Sequence, residues 1–499
     1  MTVTKALIRR LATGVPGLDD ILGGGLPELS FNVIAGSPGC GKTTLAHQMM
    51  FALATAERPA LFFTVLGEPP LKMLRYQQQF DFFDADQING AIRFVNLADD
   101  AASGDLERVL SRIVTEVVRH APAFVFVDSF RSVVLAGRGE SGSFLGVQAF
   151  VQKLGMLMAS WQATTFLIGE YFDSSDPNPV FTVADGLIWL RQSTERNSVV
   201  RKMEIVKMRG GATLPGLHTF RMSRAGVRVF APPPVSSMTH EPALAAWNEP
   251  RALRLHMGVA GLDELMGGGL PCGYSLLVAG PSGSGKSILA SAFLAEGARN
   301  GETGVIAAFE RRPNPSRGRA MDELIENGKV GVVDTRAADL SVDEIAMLLI
   351  AEIGRLKATR VVLDSLSGFE LSLAPGFRDD FRESLARMVS ALAATGATVL
   401  MTSELEDRYN DLRFSPYGTA FLTDAIIVQR YIEVDSRLLR IMAVVKVRAS
   451  IHSNELRLFS IDDAGIHIGA MLEDHEGLLG GRPTLRRAPR AATARDHDV

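Results

Sequence analysis

Two octapeptides in this chain combine glycines, a lysine and a hydroxyl residue at the spacing of a phosphate cradle. The first is Gly36, Ser37, Pro38, Gly39, Cys40, Gly41, Lys42 and Thr43; the second is Gly280, Pro281, Ser282, Gly283, Ser284, Gly285, Lys286 and Ser287. Both fit the Walker A pattern, in which glycines let backbone N–H groups curl around phosphates and the following helix N-terminus adds positive potential. Lys42 and Lys286 would reach the β- and γ-phosphates of ATP, and Thr43 and Ser287 would ligate Mg²⁺. Asp128 and Asp364 each close an apolar run, FVFV and, after Arg360, VVL. An acid at the end of a buried parallel strand stands where ligands bind, so both are expected in the Mg²⁺ sphere; the alternative is an acid capping the next helix. Lys207 and Arg209, then Lys446 and Arg448, form a K-x-R late in each half, and period-2 spacing puts both charges on one strand face.

These groups need elements to carry them, and the chain supplies two sets. TGVPGLDDILGGGLP (13–27) returns as MGVAGLDELMGGGLP (257–271), and the same offset superposes the two octapeptides. Such a long period denotes a duplicated domain rather than a solenoid. SFNVIAG, ALFFTV, AFVFVDS and TTFLIG read as strands in the first copy; SLLVAG, GVIAAF, RVVLDS and ATVLMTS do so in the second. Residues 105–120 instead carry an apolar helical stripe at 106, 109, 110, 113, 114, 117 and 118. Continuous apolar strands alternating with helices predict α/β domains with mainly parallel sheets covered by helices. The expected organisation is a first domain over 1–230, a proline-rich linker over 231–254, a second domain over 255–471, and a disordered tail over 472–499.

Composition narrows the class. The chain has 499 residues, more than one ordinary core holds, and 46% hydrophobic with 22% charged residues is ordinary for a globular protein. A formal net charge of −4 argues against bulk attraction to nucleic acid or anionic lipid. No long uncharged apolar run and no apolar N-terminal core appear, so no membrane association and a cytoplasmic location are expected. Cys40 and Cys272 lie in different halves and read as free thiols.

The glycine-rich lead-in before each Walker A resembles the KaiC family of RecA-like ATPases, over roughly residues 5–470. The resemblance implies two RecA-like folds, a hexameric double ring with ATP between subunits, slow ATP hydrolysis, serine/threonine autokinase activity in the second domain, and regulatory protein partners. It also implies that Lys207, Arg209, Lys446 and Arg448 contact a neighbour's nucleotide, as an arginine finger does. Glu170 and Glu404, ending matched strands, would sense the γ-phosphate through the Mg²⁺ shell.

Two departures from the family pattern bear on activity. The family's adjacent glutamates, which orient the attacking water or hydroxyl, read Glu310-Arg311 in the second copy and Leu66-Gly67 in the first, with Glu68 just beyond. Either Glu68 substitutes through a remodelled loop, or the first domain hydrolyses ATP poorly. The family's phosphorylated Ser-Thr pair falls on Ala420 and Phe421, which have no hydroxyl; Thr419 and Thr423 flank them. Two other readings share this core, a DNA-acting motor and an ATP-switched scaffold. The first needs basic channel loops, and the loops around 131–143 and 367–380 offer only Arg131, Arg138 and Arg378.

Overall fold

The computed structural model describes residues 8–65, 70–102, 105–136, 144–172, 178–195, 198–233, 253–309, 319–333, 335, 340–373, 381–405, 422–472, 475–478 and 484–485. Glu68 and Glu310 lie outside these residues, with Leu66, Gly67, Arg311, Arg138, Arg378 and Thr419 to Phe421; so do residues 234–252 and 486–499. The chain divides into two compact units, Met1–Pro232 and Pro233–Val499.

In the first unit the elements that matter are β1 (Phe31–Gly36), α1 (Lys42–Leu53), β2 (Ala60–Thr64), β3 (Ile92–Asn96), α2 (Leu106–His120), β4 (Phe124–Asp128), α3 (Phe144–Ser160), β5 (Thr164–Glu170), β6 (Gly186–Glu195), β7 (Ser198–Met208), β8 (Leu217–Ser223) and β9 (Gly226–Phe230). They form a nine-stranded sheet in the order β9-β8-β7-β6-β1-β5-β4-β2-β3. The strands from β6 to β3 are parallel, and β7 to β9 are added antiparallel. The second unit repeats this with β10 (Ser275–Gly280), α4 (Lys286–Arg299), β11 (Gly304–Ala308), β12 (Val330–Val333), α5 (Val342–Leu356), β13 (Arg360–Asp364), α6 (Phe381–Ala394), β14 (Thr398–Glu404), β15 (Ala425–Val434), β16 (Arg437–Val447), β17 (Arg457–Asp462) and β18 (Gly465–Met471). Its order, β18-β17-β16-β15-β10-β14-β13-β11-β12, is the same.

Side-chain alternation explains why the central strands read as unbroken apolar runs. Phe62, Phe126, Phe166 and Ile168 pack on one face with Leu45, Met49 and Met50 of α1. Leu61, Phe63, Val125, Val127 and Leu167 pack on the other with α2 and α3. A sheet buried on both faces needs apolar residues at every position. Helix α1 runs through the core and buries residues all round, from Leu45 to Phe51, and again at Leu53.

The stripe read along α2 is shifted by the structure. Asp105 caps the helix, accepting from the amides of Glu107 and Arg108. Val109, Leu110, Ile113 and Val117 are buried, but Val118 is 65% exposed and Glu116 is buried. At 100° per residue the core-facing line runs through 109, 113 and 117, so 116 falls inside it and 118 outside. Arg112 and Arg119 ion-pair with the Glu116 carboxylate, and His120 Nε2 lies 3.4 Å from it.

The lead-in works as a structural brace. Leu18, Ile21, Leu22 and Leu26 are fully buried, and Asp19 accepts a hydrogen bond from the Thr13 amide. Gly25 has φ +103°, and a Cβ there would stand 2.3 Å from the Leu11 carbonyl oxygen, so only glycine fits. Arg10 donates to the Leu22 and Gly25 carbonyls, and Arg254 does the same to Met266 and Gly269 in the second copy. Among the described residues no helix is long and apolar enough to cross a membrane.

Candidate functional site

Each Walker A segment leaves the C-terminal end of the central strand and enters a helix. Gly41 caps α1 at φ 106° and Gly285 caps α4 at φ 104°, a conformation that favours glycine. Side chains crowd these glycines from the antiparallel strands: a Cβ on Gly41 would stand 2.4 Å from Met222 Sδ, and one on Gly285 2.6 Å from Ile461 Cδ1. Lys42 Nζ donates to the Ser37 carbonyl at 2.8 Å. Lys286 Nζ donates to the Gly280 and Pro281 carbonyls at 2.9 and 2.8 Å. Both ammonium groups therefore stand over their own loops, where phosphate oxygens would be gripped.

Strand register brings the acids to the same edge. Asp128 ends β4, Glu170 pairs with Gly36 across β5 and β1, and Glu404 pairs with Gly280 across β14 and β10. Thr43 Oγ1 donates to Asp128 Oδ2 at 2.6 Å, so two oxygens of the kind Mg²⁺ prefers meet at the head of α1. Burial pushes the Asp128 carboxyl up to about 6, with Glu170 adding to the rise and the Thr43 hydroxyl and Lys42 ammonium opposing it. In the second domain Asp364 Oδ1 instead accepts from Thr402 Oγ1 of β14 at 2.5 Å. The first domain has Ile168 in register with Asp128 on β5, so no hydroxyl is offered from that place. Ser287 follows Lys286 at the head of α4, and its carbonyl accepts from the Ser291 hydroxyl. The Asp128–Ser129 and Asp364–Ser365 peptide bonds are both cis.

The K-x-R residues are elsewhere. Lys207 pairs with Leu187 near the start of β6, and Lys446 pairs with Ile426 near the start of β15. They stand at the strand-start edge, whereas the phosphate loops leave the strand-end edge, about 16 Å away along a six-residue strand. Lys207 Nζ donates to the Phe181 and Thr182 carbonyls, and Arg209 ion-pairs with Asp185 at 3.1 Å. Partial burial and the adjacent Arg209 hold the Lys207 ammonium below its ordinary pKa; burial and Arg448 do the same to Lys446.

Sequence reasoning missed the acid behind each arginine. Asp185 Oδ2 accepts from the Phe31 amide at the start of β1, while its Oδ1 takes Arg209 and its carbonyl takes the Arg209 amide. Asp424 repeats all three contacts with Ser275 and Arg448. The signal was available: Asp185 to Arg209 and Asp424 to Arg448 have the same spacing.

Comparison with known proteins gives the family. The family model described as "ATPase: KaiC" matches residues 11–233 and again 255–473. The circadian clock oscillator protein KaiC of Rippkaea orientalis is 27% identical, over 96% of this chain and 92% of that protein. KaiC of Prochlorococcus marinus is 26% identical over 95% of this chain and 96% of its own length. KaiC 1 of a Synechocystis strain is 26% identical, over 97% and 93%. With two sheets of the same order, each carrying a phosphate loop and an acid on one edge, the two halves are tandem RecA-like α/β domains, and the chain belongs to the KaiC family of ATPases.

Proposed function

We propose that this protein binds ATP with Mg²⁺ in both domains and assembles through it into a homo-oligomeric ring, a hexamer, whose nucleotides lie between neighbouring subunits. The single observation that carries this reading is the separation within each domain. The phosphate loop and the K-x-R pair occupy opposite edges of one sheet, so Arg209 and Arg448 cannot serve their own domain's nucleotide. A neighbour's nucleotide is the site they can serve, supplying positive charge in trans.

Lys42 and Lys286 hold the phosphates with the loop amides. Thr43 with Asp128, and Ser287 with Asp364, fit Mg²⁺, a hard cation that keeps several waters and takes few protein oxygens. When bound, that ion would neutralise charge developing on the transferred phosphoryl group. Hydrolysis is slow, as the family likeness implies, and Glu310, which keeps the carboxylate that orients the attacking water, puts most of it in the second domain. Phosphoryl transfer onto the chain itself would need an acceptor other than Ala420 and Phe421, which have no hydroxyl. A regulatory protein partner and a cytoplasmic location complete the reading; nucleic acid is not the partner, given the net charge of −4.

Native mass spectrometry with and without ATP-Mg²⁺ tests this directly, reporting stoichiometry, bound nucleotide and covalent phosphate together. A mass of six chains carrying twelve nucleotides is expected from this reading, since each chain has two Walker A motifs. A monomer at saturating ATP-Mg²⁺ would end the trans assignment.

A further inference from the structure

We propose that Gln429 is a positioning residue for the second domain's phosphate loop, holding it in its nucleotide-ready curve through Ser284. This rests on the ATP-binding reading above. Ser284 sits at the crest of the loop between two left-handed glycines, Gly283 at φ 76° and Gly285 at φ 104°. Its hydroxyl donates to Gln429 Oε1 at 3.0 Å, and the two residues are 1% and 0% exposed. Gln429 belongs to β15, a separate strand, and reaches the loop from outside it. The start of the loop also leans on this residue: a Cβ on Gly280 would stand 2.8 Å from the Gln429 carbonyl oxygen.

The physical reason is preorganisation. Glycines give the loop the backbone freedom its curve requires, and the same freedom must be lost when phosphate binds. A buried hydrogen bond at the middle of the loop removes that freedom before nucleotide arrives, so less affinity is spent on ordering. Core stability does not account for the glutamine. Its Nε2 is buried without a hydrogen-bond partner, which opposes folding, and a leucine would fill similar volume without that penalty. The first domain shows that alternative. Cys40 takes the place of Ser284 in its octapeptide, and Leu190, in register with Gly36, takes the place of Gln429. A thiol is a weak donor and leucine offers no acceptor, so this loop has no matching tether.

The experiment uses the full-length chain, titrated with a fluorescent ATP analogue and Mg²⁺ and assayed for ATP turnover. The second site is identified as the one lost in Lys286→Ala. Gln429→Leu should raise Kd and KM there roughly tenfold while lowering kcat less than about twofold, because one preorganising hydrogen bond is lost and the reacting groups are untouched. The nucleotide-free melting temperature should hold or rise. Ser284→Ala should weaken binding similarly, and the double variant should be no weaker than either single one, as coupled partners require. Unchanged affinity in Gln429→Leu would overturn the positioning role while leaving ATP binding intact. So would losses that multiply in the double variant, or a fall in apo melting temperature with unchanged KM. A wild-type chain that takes up no nucleotide would remove both readings at once.

Discussion

The two domains share a backbone plan and differ in which side chains fix it. In the first, Thr43 and Asp128 hold each other. In the second, each part is tied to a neighbouring strand, Asp364 to Thr402 and Ser284 to Gln429. The lower ends of the sheets differ as well. Residue 360, the first of β13, is a fully buried arginine in a two-point ion pair with Glu302, donating also to the His256 and Phe293 carbonyls. The first residue of β4 is Phe124, and Arg58 stacks on its ring at 4.9 Å while pairing with Glu28 nearer the surface. The same fold thus tolerates a cation inside the sheet or over its rim, provided a carboxylate meets it. A shared topology does not make the domains energetically equivalent.

The largest test of that asymmetry is catalytic. Glu310→Gln should lower turnover about 10²–10⁴-fold, the usual cost of losing a water-orienting base, with ATP binding spared because the phosphate grip lies in Lys286 and the loop amides. Glu68→Gln should change the rate little. Steady-state hydrolysis on both variants decides it, and the opposite pattern would make Glu68 the working base.

Stability provides the next contrast. Arg360→Ala leaves Glu302 without its ion-pair partner and removes the buried hydrogen bonds to the His256 and Phe293 carbonyls, and should cost the second domain about 3–5 kcal/mol. Arg58→Ala removes a half-exposed cation and should cost within about 1 kcal/mol. Calorimetric unfolding of both variants would expose the difference; equal costs would mean burial of the arginine is irrelevant.

Acid should separate the domains too. His47, the sixth residue of α1, is fully buried against Phe62, and burial pushes its pKa down to about 4, with the Gln77 side chain opposing the shift. The unfolded chain, at the ordinary 6.5, takes up the proton first. The His47 contribution to first-domain stability is therefore full above about pH 6.5 and falls as pH drops toward 4, by about 3 kcal/mol in all, while the raised Asp128 carboxyl acts in the opposite sense below about pH 6. The sixth residue of α4 is Ser291, which has no such dependence. Urea unfolding of wild type and His47→Met at pH 7.5 and 5 isolates this contribution: the wild type should lose stability relative to the variant as pH falls. Equal pH dependence in the two chains assigns acid sensitivity elsewhere.

The smallest effect concerns Arg209, 63% exposed along its side chain. Arg209→Ala should leave the folded monomer within about 0.5 kcal/mol of wild type while weakening ATP-dependent assembly, followed by sedimentation. Assembly at wild-type concentrations would place the interface charge on another residue.

Much of the fold was legible because its signals are local. Apolar runs such as FNVIAG and SLLVAG are strands wherever helices cover both faces, and the glycines of GSPGCGKT announce a loop that other residues cannot form. The antiparallel strands β7 to β9 were not anticipated beyond the K-x-R segment. Strands with one wetter face, such as VRKMEIVKM, lack the continuous apolar signal. The partners of Asp128 and Asp364 were not legible either. Whether a hydroxyl or an isoleucine faces the acid depends on which residue of the next strand falls in register, a tertiary fact. The same holds for Asp185 and Gln429, whose roles come from strands that are distant in sequence.

The clamp at Asp185 has a mechanical consequence. One carboxylate grips the first residue of β1 and the arginine of the K-x-R pair together, and β1 carries the phosphate loop at its far end. A paired central strand is stiff along its length, so under the proposed assembly β1 would be a strut with a nucleotide's charge at each end: its own domain's at one, a neighbour's at the other. In a closed ring of such struts, displacement of Arg209 by a neighbour's phosphate would reach Lys42 along one strand rather than through loops. The second domain has the same strut in β10, from Asp424 to Lys286. Each domain would then carry such a load along its own central strand.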